Sequence, residues 1–314
     1  AFKNINIDFL GLRKKFYLLS LILIIVSISS FIIRGFNMGI DFTGGRVYVV
    51  RFAENVRTID VASALLKPLM SPEVKTFGSN NQVKITTKYK INEDNPNVDN
   101  EIETILINTL KRDSRFKSPE IMSSQKVGPT VAADIVKGAF LSVFFGLIGI
   151  FLYILLRFRK WQYALGAIVA LAHDTIIVMG AYSLLYSIVP FSMEVDLSFI
   201  AAILTVIGFS VNDTVIIFDR IREIVSLHKK ESLELNMNKA INATLSRTIL
   251  TSTTVVLVQL AIFTFGSEVI RGFTFALLVG FMIGTYSSIF NATPIAFDLI
   301  MYQERKRKLK ENKK

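Results

Sequence analysis

Two stretches of this chain, Phe16 to Ile33 and Gly138 to Leu156, contain no charged side chain at all. As helices rising ~1.5 Å per residue, each is long enough to cross a hydrocarbon core of ~30 Å. In lipid a helix also pairs its own backbone N–H and C=O groups, which few other structures achieve. Further apolar runs extend from Trp161 to Tyr186, Leu197 to Phe218, Thr248 to Ser267 and Gly272 to Phe297. Six membrane spans are therefore expected, the last five at about 135–156, 161–186, 197–218, 248–267 and 272–297. No small-residue cleavage site follows Phe16 to Ile33, so that segment reads as a retained anchor. The sequence has no cysteine, which excludes a disulfide framework and thiolate metal sites and leaves stability to packing.

A net charge of +11 would point to nucleic acid in a soluble protein. In a chain with spans, the question is which side of the membrane holds the charge. Lys3, Arg13, Lys14 and Lys15 precede the first span, and Arg157, Arg159 and Lys160 separate the second and third. Arg220, Arg222, Lys229, Lys230, Lys239 and Arg247 occupy the fourth-to-fifth connection, and Arg305, Lys306, Arg307, Lys308 and Lys310 follow the sixth span. The loop from Pro190 to Asp196 has no Lys or Arg, and that from Ser267 to Arg271 has one Arg. The positive-inside rule then puts both termini in the cytoplasm. The basic segments lack interleaved aromatics, so no nucleic-acid partner is expected. The organisation reads as residues 1–34, N-terminus and first span; 35–134, an extracytoplasmic domain; 135–303, the remaining spans; and 304–314, a basic cytoplasmic tail.

Residues 35–134 alternate strand-like and helix-like pieces. Arg46 to Phe52, Val74 to Phe77, Gln82 to Thr87 and Glu120 to Val127 read as strands, with helices near Asp60 to Leu66 and Asp99 to Leu110. Gly78-Ser79-Asn80-Asn81 reads as the turn between the middle strands. The order βαββαβ predicts a ferredoxin-like α+β domain, a four-stranded sheet with both helices on one face. Nothing in it looks catalytic. It has no His or Cys, and Asp60, Glu73, Glu93 and Asp94 are scattered among Lys and Asn. Apolar residues on the helix-free face, if exposed, would suit an unfolded chain or a partner subunit.

Three features carry the functional reading. Gly39-Ile40-Asp41-Phe42-Thr43-Gly44-Gly45, just after the first span, reads as a tight structural turn, since no helix and no Lys follow that would make it a phosphate cradle. Asp213, inside the fourth span, lies roughly 10 Å deep when counted back from Arg220. An ionised carboxylate there costs several kcal/mol, so it is expected to face the bundle interior and be paired, hydrated or protonated. Such a group can take a proton from one side of a membrane and release it to the other. The fifth span begins with unusual polarity. Thr244, Thr248, Thr251 and Ser252 would share a face, and Arg247 either extends towards Asp213 or simply marks the interface. Asn212 and Thr251 are further polar candidates in the membrane. His173 and Asp174, deep in the third span, read as helix-packing hydrogen bonds in preference to a proton relay, since adjacent helical residues point about 100° apart. Gly146, Gly149, Gly280 and Gly284 are expected at close helix contacts.

Gly39 to Gly45, the run from Asp213 to Glu223 that includes Asp219, Arg220, Arg222 and Glu223, and Ser246-Arg247-Thr248 together resemble the SecD/SecF family of protein-export membrane proteins, itself similar to RND transporters. The short external domain is closer to the SecF side. The resemblance covers nearly the whole chain. It implies an inner-membrane subunit without a covalent catalytic site, a SecD-like partner, association with the SecYEG channel, contact with a translocating unfolded polypeptide and with lipid, and use of the proton gradient with no other cofactor. It also implies a role in proton conduction for Asp213 and Arg247. A stand-alone RND-like transporter of small molecules or lipids, or a structural scaffold for the translocon, are the rival readings.

Overall fold

The computed structural model describes residues 6–93 and 95–312, so Lys3 and Asp94 lie outside the described residues. The elements in chain order are α1 (Phe9–Arg34), a single turn α2 (Ile40–Thr43), β1 (Gly45–Arg51), α3 (Thr58–Leu65), β2 (Glu73–Phe77), β3 (Ser79–Thr87), α4 (Pro96–Arg112) and β4 (Glu120–Val127). There follow α5 (Pro129–Phe158), α6 (Trp161–Leu185), α7 (Leu197–Leu227), α8 (Leu233–Phe265), α9 (Glu268–Ser287), a π turn (Ser288–Ala292) and α10 (Thr293–Glu311). Six helices among the described residues are long and apolar enough to span a membrane: α1, α5, α6, α7, α8 and the run from Glu268 to Glu311.

The helices overrun the apolar windows read from sequence, because hydropathy locates lipid and not helix ends. The largest departure is the fourth-to-fifth connection. Lys239 and Arg247 were expected there in a basic loop, yet α7 continues to Leu227 and α8 starts at Leu233. Ser232 caps α8 by accepting from the Leu235 N–H, and Met237, Ala240, Ile241, Thr244 and Leu245 form a buried stripe below the lipid-crossing part. On that segment Asn238 and Asn242 accept from the Phe9 and Ile7 N–H groups at 2.9 Å, fixing α8 to the start of α1. The expected basic tail is likewise helical as far as Glu311.

α6 and the α9–α10 run form the buried centre of the bundle, while α5 and α8 lie on its perimeter. The glycines divide accordingly. A Cβ on Gly280 would meet Val206 at 2.1 Å and one on Gly284 would meet Ser210 at 3.1 Å, as expected of close helix contacts. Gly146 and Gly149 on α5 face open space, contrary to expectation.

In the α+β domain the strands run β2-β3-β1-β4, all neighbours antiparallel. The turn between β2 and β3 is tighter than the sequence suggested, with Phe77 opposite Ser79 across Gly78. Tyr48 and Val50 of β1, with Phe52 just beyond it, pack under α3 and α4 with Leu65, Ile102 and Leu106. Burial pushes the Tyr48 hydroxyl up to about 12. Arg46 projects to the same face and is only 1 % exposed. Its Nε and Nη2 donate to Asp99 Oδ1 at 3.0 and 2.8 Å and its Nη1 to the Tyr89 carbonyl at 2.7 Å. Burial alone would raise the Asp99 carboxyl, but the Arg46 hydrogen bonds and charge, with Lys126, hold it below the usual range. The Asp99 contribution to stability is thus complete above its unfolded value of ~3.9 and is lost as pH falls through the lowered folded value. Asp99→Ala is expected to cost about 1.5–3 kcal/mol by leaving a buried guanidinium short of its acceptor, read as an earlier unfolding transition of this domain.

The other sheet face is not open. Val47 and Val49 are less than a tenth exposed. They look across a cleft of about 670 Å³ onto Tyr182, Glu268 and Phe273 at the end of the bundle. The apolar residues Val47 and Val49 on the helix-free face are therefore turned towards the protein's own helices.

Candidate functional site

α7 carries Ser210, Asp213, Thr214 and Ile217 at helical spacing on one buried face. Asp213 is 1 % exposed, and among the described residues its Oδ2 has no hydrogen-bond partner. Ser252 Oγ on α8 lies 2.6 Å from Thr285 Oγ1 on α9. Arg247 acts on Asp213 by charge and not by contact. Its side chain is exposed, makes no ion pair among the described residues, and lies on the wall of a cavity of about 860 Å³ with Arg157, Ile216, Asp219, Arg220 and Thr244. The bundle thus holds one carboxylate short of a partner, with an uncommitted guanidinium at the rim of an open cavity nearby.

Of the polar stripe expected on the fifth span, Thr244, Thr248 and Ser252 are buried at i, i+4 and i+8, and Thr248 Oγ1 is itself without a partner. Thr251 departs from expectation. It is exposed, one step beyond that ridge on the Arg247 side, and its hydroxyl donates to the Arg247 carbonyl at 3.0 Å. Asn212 is also exposed, as its position beside buried Asp213 on a helix requires.

Asp174 on α6 is 0 % exposed. Its Oδ2 accepts from Ser210 Oγ on α7 at 2.8 Å and from Ser287 Oγ at the end of α9 at 2.7 Å, while Oδ1 lies 3.0 Å from His173 Nδ1. Among the described residues His173 Nε2 has no hydrogen-bond partner. One turn along α7, Thr214 Oγ1 meets Ser288 Oγ of the π turn at 2.8 Å. Ser210, which bonds Asp174, thus stands one turn from Asp213 on α7. Ser210, Ser287 and Ser288 were not singled out from sequence. Their only signal is a small hydroxyl in an apolar run, which helix packing uses as readily as function does.

The remaining motif residues are structural in geometry. Asp219 pairs with Arg157 of α5 at 3.0 Å and with Arg222 at 3.3 Å, and Arg220 pairs with Glu223 at 2.7 Å. Gly39, Asp41, Gly44 and Gly45 form the turn leading into β1. Among the described residues no group of three or more His, Cys, Asp or Glu is placed to hold a metal ion.

Comparison with known proteins agrees across the chain. The family described as "Protein export membrane protein SecD/SecF, C-terminal" matches residues 107–302, and "SecD/SecF GG Motif" matches 29–56. A protein translocase subunit SecF from Rhodothermus marinus is 42 % identical over 98 % of this chain and 98 % of its own length. One from Helicobacter pylori is 37 % identical over 99 % of this chain and 94 % of its own. Among solved structures, SecDF from Thermus thermophilus, described as a translocon-associated membrane protein, superposes with a TM-score of 0.80 at 30 % identity over 96 % of this chain. This chain spans only 39 % of that longer one. On the extent and evenness of these matches, the chain belongs to the SecD/SecF family of protein export membrane proteins and resembles its SecF branch over its full length.

Proposed function

We propose that this chain is the SecF-type accessory subunit of a protein translocase, coupling proton movement across the bacterial inner membrane to the export of unfolded polypeptide. A SecD-like subunit supplies the second half of the membrane assembly, SecYEG the channel, and lipid the surroundings of α5 and α8. Both termini lie in the cytoplasm and the α+β domain, in a ferredoxin-like arrangement, on the outer side. The proton is the coupling ion and no other cofactor takes part.

One observation carries this reading: Asp213 is buried in a membrane-spanning helix with an unpartnered Oδ2, close enough to Arg247 to feel its charge and yet not paired with it. A carboxylate locked in an ion pair would stay charged, and one exposed to water would titrate without consequence. One left short of a partner changes its interactions when it gains a proton. The scale is adequate, since each charge moved through 100 mV gains about 2.3 kcal/mol, enough to bias a helix arrangement poised within a few kcal/mol.

Arg247→Leu tests the influence of the Arg247 charge on Asp213. In vesicles carrying this chain with its SecD-like partner, gradient-driven proton conductance is expected to fall about ten-fold or more, with the complex still assembled. Conductance unchanged by the substitution would remove Arg247 from the site.

A further inference from the structure

We propose that the Gly39–Gly45 turn is the mechanical link through which α7 moves the α+β domain, with Asp41 as its positioning residue. This rests on the proton-coupling reading above and adds the part it lacks, a physical connection from Asp213 to the domain.

The turn is tied to the start of α7 by several independent contacts. The Gly39 N–H donates to the Val195 carbonyl at 2.9 Å, and the Val195 N–H donates to the Asn37 carbonyl at 2.8 Å. Met38 and Val195 thereby pair as neighbouring parallel backbones. Asp41 Oδ2 accepts from the Leu197 N–H, the first of α7, at 3.0 Å. Gly39 permits this closeness, since a Cβ there would stand 3.1 Å from Asp196 Cβ and 3.3 Å from the Val195 carbonyl. On the domain side, Gly44 at φ +68° returns its N–H to the Ile40 carbonyl at 2.8 Å, and the chain passes directly into β1, the strand between β3 and β4. The sheet adds a second tie, Lys84 of β3 to Glu194 at 2.7 Å, with both side chains less than a fifth exposed.

A flexible tether between a membrane helix and a soluble domain carries no such cross-links. Here the backbone between α1 and β1 is bonded at Asn37 and Gly39 to Val195, in the connection between α6 and α7. α7 is one unbroken helix from Leu197 to Leu227, so Asp213 lies about 24 Å along a rigid rod from the Asp41 contact. A shift of α7 produced at Asp213 reaches the sheet with no loop in between to absorb it. Asp196 caps the same helix end, accepting from the Phe199 N–H at 2.9 Å. Two carboxylates thus share the first turn of α7, and only that of Asp41 belongs to the domain's own connection.

The natural chain has no cysteine, so a thiol pair can be introduced cleanly. Met38→Cys with Val195→Cys, oxidised to a disulfide in the full complex, is expected to export within two-fold of the unmodified chain, because the two segments travel together. Export abolished by the disulfide and restored by reductant would show that they must separate, and would overturn the proposal. Asp41→Ala is expected to leave gradient-driven proton conductance within two-fold of wild type while lowering proton-dependent export about ten-fold. Asp41→Asn, which keeps an oxygen acceptor for the Leu197 N–H, should retain more than half. Normal export by Asp41→Ala, or parallel loss of conductance and export, would also overturn it, the second by showing that Asp41 serves folding alone. A wild-type chain whose export ignores collapse of the gradient sinks the coupling reading itself, and with it the link. A coupled wild type indifferent to Asp41→Ala sinks only the link.

Discussion

Asp213→Asn is expected to leave the protein folded, inserted and assembled, and to reduce its export to the level seen when the proton gradient is collapsed. Asparagine has the shape of the carboxylate and keeps one oxygen acceptor. No ion pair is broken, since Arg247 does not contact Asp213, and Oδ2 has no partner to lose. The stability change should therefore stay within about 1 kcal/mol. What asparagine removes is the ability to be charged in one state and neutral in the other, and any work extracted from the gradient at this position requires that alternation. The measurement is export into vesicles with and without a gradient, beside the thermal midpoint of the purified complex. A stable Asn variant whose export still rises with the gradient would move the coupling site elsewhere in the assembly.

Asp213 could be found from sequence because a carboxylate among Val, Ile and Phe violates the pattern around it, and the cost of that violation is large. The spans were legible from their apolar runs, and the domain's last strand lies at Glu120–Val127 as read. What stayed hidden depends on long-range pairing. Ser210 and Ser287 reach Asp174 from 36 and 113 residues away, and nothing local marks either as its partner. The polar extension of α8 was read as a loop because its buried stripe packs below the lipid boundary, where hydropathy carries no signal. The turn at Gly39 to Gly45 was recognised as a turn, but not its bonds to Val195 and Leu197, since sequence does not say which loop lies beside it.

Asp174 poses the sharper question, because its burial is as complete as that of Asp213 and its hydrogen bonding far richer. Replacing it by Leu is expected to lower stability by about 3–5 kcal/mol, since Ser210, Ser287 and His173 all lose their acceptor inside the bundle. The thermal midpoint should drop markedly, and export with it. Asp174→Asn separates the polar hub from its charge. The amide oxygen can take the place of Oδ2 and accept from both serines, while the amide NH2 faces His173 Nδ1 and donates to it once the ring proton sits on Nε2. Every group now served by Asp174 keeps a partner, so the Asn variant should fold within about 1 kcal/mol of wild type and export normally if the residue pins α6, α7 and α9 together. The geometry favours that result. The two serine hydroxyls share one carboxylate oxygen, which holds three helices in fixed register, and His173 Nε2 has no hydrogen-bond partner among the described residues. A stable Asn variant that loses gradient-dependent export would reverse the assignment, because only charge distinguishes it from the native residue, and α7 would then carry the consequences of two protonation sites one turn apart.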